Sequence, residues 1–140
     1  MIPIQQTICN FQTGNCMQAC VASIFELPLE KVPNFMMGGT DHYGTHLQKW
    51  CDQFGIVALD ISFKDESAES LIRDCYVIAV GKSPRIDDKN EDYPENYKKK
   101  YKDAKHGVVW YNGKMVKWFT IHTLKEKASL VNRICLRFSL

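Results

Sequence analysis

Apolar residues in the first part of the chain recur with a helical period. After Gly14 and Asn15, the positions Met17, Cys20, Val21, Ile24 and Phe25 fall at i, i+3, i+4, i+7 and i+8, which is the stripe of an amphipathic helix. Asn15 predicts the N-cap and Pro28 the stop. "PNFMMGGTDHYG" reads as a loop. "THLQKWCDQFG" predicts a second short helix with Leu47, Trp50, Cys51 and Phe54 inward and Gly55 as its end.

Further along, the period changes. "IVALDISF" alternates as a strand does, "SAESLIRD" behind a Ser67 cap predicts a short third helix, and the continuously apolar "CYVIAVG" suits a central strand covered on both faces. "HGVVWYNGKMVKWFTIH" predicts a hairpin about Asn112-Gly113, and "LVNRICLRF" a final strand. Helices come first and a mostly antiparallel sheet follows, which gives an α+β domain.

Residues 86–105, "IDDKNEDYPENYKKKYKDAK", break this pattern with an acidic first half, a lysine-rich second half and almost no aliphatic side chains. Tyr93, Tyr97 and Tyr101 recur every four residues and Pro94 suits a first turn, so the segment reads as a surface insertion containing a helix.

Composition adds limits rather than direction. The 140 residues fit one domain, 1–140, and 45% hydrophobic with 24% charged residues is ordinary for a globular chain. A net charge of +2 gives no reason to expect nucleic acid as a general partner. No segment approaches the roughly 18 apolar residues of a membrane helix and no secretory leader is legible, so a cytoplasmic location is expected. The six cysteines are then expected as thiols, most of them buried.

Among these thiols, Cys16 and Cys20 differ. At 100° per residue Cys16 falls at the rim of the apolar stripe and Cys20 inside it. Cys16 in the first turn of a helix would sit among free N–H groups and the positive end of the macrodipole, which favour a thiolate. His106, at the start of the hairpin, is the candidate base, and Gly107 beside it leaves room for close approach. Two other readings stand beside this one. Cys16 and Cys20 form C-x3-C and His42 and His46 form H-x3-H, the count of a four-ligand zinc site. Alternatively, all six cysteines fill the core and His106 is a strand-end histidine.

"GNCMQACVASIFELPLEKVPNF", "YVIAVGKSPR" and "HGVVWYNGKMV" together resemble the small papain-like, peptidase C39-like cysteine hydrolases, many of them proteins of bacteria and tailed phages. The resemblance covers roughly half the chain, in the family's order. It implies a papain-like fold in which an N-terminal nucleophile helix packs on a small antiparallel sheet, with no cofactor and no metal. It implies Cys16 as nucleophile, His106 as general base and Gln6 as the side-chain donor of the oxyanion hole, with Gln5 and Gln12 as rivals for that last role. The activity implied is that of a peptidase or isopeptidase on a peptide or protein substrate, in a bacterial or phage-infected host cytoplasm.

Two departures from the family's pattern are visible. Relatives run almost directly from Ser-Pro-Arg to the histidine, whereas this chain inserts the tyrosine- and lysine-rich segment. Relatives also place an aspartate about twelve residues after the histidine to orient the imidazole, where this chain has Trp118, and no aspartate follows Asp103. Asn112 is spent on the turn and the remaining carboxylate is Glu126, so the options are a Cys-His dyad, a replacement orienter such as Asn132, or a degenerate site. The alternative expectation is a catalytically weakened protein, or a binding module that uses the same groove and the 86–105 insertion.

Overall fold

The computed structural model describes residues 1–10, 12–37, 42–62, 73–86, 91, 93–112, 114–115 and 130–138. Within them the chain is α+β: helices α1 (Cys16–Phe25) and α2 (Tyr43–Cys51), strands β1 (Ile56–Ser62) and β2 (Tyr76–Lys82), a short helix α3 (Glu95–Lys100), then β3 (Lys105–Tyr111), β4 (Lys114–Met115) and β5 (Leu130–Phe138). The strands make one sheet in the order β1-β5-β2-β3-β4, and every neighbouring pair is antiparallel.

Helix α1 buries Met17, Cys20 and Val21 of the sequence stripe together with Ala19, Ala22 and Ser23, while Ile24 and Phe25 are only partly buried, and it lies against β3 and β2. Its end is set by backbone geometry rather than by Pro28. Glu26 adopts the left-handed conformation at φ 55°. The Leu27 N–H then donates to the Ala22 carbonyl at 3.0 Å and the Glu26 N–H to the Ser23 carbonyl at 3.4 Å, a Schellman closure. Its carboxylate also pairs with the Met1 ammonium.

The start of α1 departs from the sequence expectation. Asn15 holds the N-cap position, but its side chain makes no cap hydrogen bond. It is 1% exposed and turns to the preceding segment. Its Oδ1 accepts from the Thr7 N–H at 3.0 Å and the Ile8 N–H at 2.8 Å, and its Nδ2 donates to Thr7 Oγ1 and Gln18 Oε1, each at 3.0 Å. Gln18 in turn donates to the carbonyls of Leu29 and Val32. A buried amide must find partners, and here the N–H groups of residues 7 and 8 outcompete those of the helix.

α2 begins two residues earlier than expected, at Tyr43, and packs on β1 through Leu47, Trp50 and Cys51. A 3-10 turn over Asp52–Phe54 follows and closes on Gly55 at φ 66°. Phe54 is half exposed rather than inward, because that turn ends the 3.6 period. Its ring still meets Trp50 at 4.8 Å and Phe25 at 5.5 Å, while Phe35 completes the cluster from the other edge of Trp50 at 5.9 Å.

β2 is central, with Val77, Ile78 and Ala79 buried, as the apolar run required. Asn112 takes a positive φ of 49°, and Tyr111 pairs with Lys114 across a two-residue turn. The expected helix over 67–74 falls largely outside the described residues. The 86–105 insertion is clamped at its base: Lys82 pairs with Lys105, and the Ser83 N–H donates to the Ala104 carbonyl at 2.9 Å. The excursion therefore leaves and rejoins one strand pair without disturbing its register. Inside it Ile86 is buried. Pro94 occupies the N-cap position of α3 rather than its first turn, and Tyr93, Tyr97 and Tyr101 contact one another in series at 5.1 and 4.8 Å. Among the described residues no helix is long and apolar enough to cross a membrane.

Candidate active site

Cys16 is the first residue of α1. The residue before the helix is pinned by the Asn15 bonds, and the Asn15 N–H itself donates to the Ile8 carbonyl at 3.2 Å. His106 is the second residue of β3, opposite Gly81 on the central strand. These two elements lie side by side, and they bring Cys16 and His106 to a single cleft whose wall also includes Gln6, Gly14, Ser83, Arg85 and Lys105.

Of the three glutamines weighed for the oxyanion role, Gln6 lines this cleft and Gln5 and Gln12 do not. The Gln6 Nε2 donates to Cys9 Sγ at 2.9 Å. Gly14 shapes the same wall by close approach, since a Cβ there would collide with the Asn10 carbonyl oxygen.

The electrostatics correct one expectation. Burial pushes the Cys16 thiol above its ordinary range; backbone N–H groups of Gly107, Met17 and Cys16 itself, and the Arg85 charge, favour the thiolate but do not outweigh it. The helix mouth acts in the direction the sequence suggested, and desolvation is larger. His106 is lowered to about 4, by burial first and by Arg85 second. Both groups are therefore neutral at pH 7. A raised thiol and a lowered imidazole both oppose moving the proton from Cys16 to His106. The resting site is thus thiol and neutral imidazole.

Cys20 is 1% exposed, and its sulfur sits 4.0 Å from where a Cβ of Gly107 would stand, so it is packing. His42 and His46 lie with exposed side chains at the start of α2, their rings 6.4 Å apart. Among the described residues no three or more His, Cys, Asp or Glu side chains gather as metal ligands, so the C-x3-C and H-x3-H pairs do not form the zinc site their count suggested.

For the orienting group, Trp118 and Glu126 lie outside the described residues. Asn132 is placed by its backbone on β5 opposite Val80, whose other partner is Gly107. Its strand, β5, lies two strand spacings, roughly 10 Å, from β3. The charged neighbour acting on His106 is Arg85. Arg85 and Lys105 were not singled out from the sequence. The Lys105-His106 adjacency, and the arginine closing "KSPR" just after the central strand, are the signals that could have found them.

No family model matches the chain, and no curated protein or solved structure matches it.

Proposed function

We propose that the protein is a papain-like cysteine hydrolase, acting as a peptidase or isopeptidase. The observation that carries this reading is that the first residue of α1, Cys16, and a strand-end imidazole, His106, share one cleft with backbone N–H groups turned to the sulfur. As the Cys16 sulfur bonds to the substrate carbonyl carbon, the S–H proton passes to the His106 imidazole, which is neutral at pH 7 and able to accept it. The carbonyl oxygen becomes an oxyanion, held by the Cys16 N–H and by the Gln6 amide once it leaves Cys9. His106 then gives its proton to the departing amine, the C–N bond breaks and a thioester remains. Water, deprotonated by His106, releases the acid and restores the thiol.

A second reading is a binding module that keeps the cleft. It is favoured by the neutral resting pair and by the lack of a carboxylate acting on His106 among the described residues. Labelling with a peptidyl acyloxymethyl ketone separates the two. The hydrolase is expected to be modified at Cys16 alone, with labelling abolished in Cys16→Ala and slowed about 100-fold or more in His106→Ala, the usual range for a general base. Labelling that ignores His106, or that spreads over Cys9 and Cys75, would favour the binding module.

A further inference from the structure

Among the described residues of the cleft wall, three carry charged or titratable nitrogen groups, Arg85, Lys105 and His106, and none is an Asp or Glu. Arg85 is half-buried there. Its Nη1 donates to the Cys9 carbonyl at 2.9 Å, which fixes one edge of the guanidinium and leaves a planar fork of further N–H donors in a set orientation. Among the described residues the ion pairs are Met1 with Glu26 and Lys98 with Glu95, and neither Arg85 nor Lys105 takes part. A guanidinium held partly out of water with no anion among the described residues has room for one, and a carboxylate is the group whose geometry matches its fork.

We propose that the cleft selects substrates carrying a carboxylate beside the scissile carbonyl, held by Arg85 and Lys105. The inference rests on the hydrolase reading and names its substrate class, an acidic one. It also supplies what the resting site lacks. Burial first and Arg85 second oppose a positive charge on His106, and a bound carboxylate offsets the Arg85 part, so the imidazole becomes a stronger base when the substrate is in place. An acidic substrate is thus favoured in kcat as well as in KM.

Iodoacetate and iodoacetamide differ in a carboxylate against an amide, and each alkylates a thiol with loss of iodide. Their rates at Cys16 are measured by peptide mass analysis on the full chain, with glutathione as the reference thiol. The iodoacetate-to-iodoacetamide ratio at Cys16 is expected to exceed that of glutathione about tenfold, to fall as salt is raised, and to return to the glutathione value in Arg85→Gln/Lys105→Gln. Arg85→Lys, which keeps the charge and loses the fork, is expected to fall between. Protection of Cys16 from iodoacetamide by N-acetylglutamate α-amide or by N-acetylglycine, each against N-acetylglutamine amide, tells a side-chain carboxylate from a chain-terminal one. A ratio equal to that of glutathione, or unmoved by the double substitution, with Cys16 still alkylated, overturns the acidic preference and leaves the hydrolase standing. Failure of both reagents to reach Cys16 overturns both.

Discussion

Asn15 shows how one side chain can be placed correctly and used differently. Its position before the helix is legible, because an amide just ahead of an apolar 3.6 period is a common cap. Its bonds are not, since the N–H groups of Thr7 and Ile8 reach it only when the chain folds back. Asn15→Ala leaves those two donors, Thr7 Oγ1 and the Gln18 side-chain Oε1 without their partner in a part-buried place. The expected loss is roughly 2–4 kcal/mol, read as a lower denaturant midpoint at unchanged m-value. The segment that carries Gln6 should loosen with it, visible as faster amide exchange at residues 4–8. A loss below about 0.5 kcal/mol would mean that water replaces the amide.

Elements end where backbone geometry lets them, and α1 is the clearest case. A glutamate in the left-handed region carries a penalty of about 1–2 kcal/mol relative to glycine, and the Schellman bonds at Ala22 and Ser23 hold it there. Glu26→Gly relieves that penalty and gives up a half-exposed pair with Met1 worth well under 1 kcal/mol. The variant is expected to melt about 2–4 °C higher. A lower Tm would show that the ion pair, not the backbone, decides this terminus. The β2–β3 pair makes the related point for insertions. Because Lys82–Lys105 and Ser83–Ala104 close the base, some twenty residues of foreign composition enter one turn while Gly81 and His106 stay opposed.

For the molecule as a whole, the burial of His106 couples the site to stability. Its imidazole takes up a proton near 4 when folded and near 6.5 when unfolded. Between those values the unfolded chain binds more protons, so the contribution is fully present above about pH 6.5 and is lost as pH falls toward 4, by up to about 3 kcal/mol. Chemical denaturation from pH 7 to 4 should show that slope, and His106→Gln should flatten it. An unchanged slope in the variant would assign the acid sensitivity to other groups.

The helices, the central strand, the Asn112 turn and the boundaries of β5 were legible because each rests on periods and turn chemistry within a few residues. The nomination of Cys16 and His106 was equally local, a helix mouth and a strand start. Two helical expectations failed locally: Phe54 left the core when a 3-10 turn replaced the last helical turn, and Tyr43 joined α2 because no cap bond marks its start. The sequence by itself determined the α+β class and the candidate nucleophile. Only the tertiary structure decided that β5 inserts between β1 and β2, that Gln6 rather than Gln5 or Gln12 reaches the cleft, and that burial leaves Cys16 and His106 uncharged, with Arg85 adding to it at His106 and opposing it at Cys16. The reason is physical: strand order, desolvation and through-space charge depend on which distant residues the closed chain brings together, and neither hydrophobic period nor motif spacing records that.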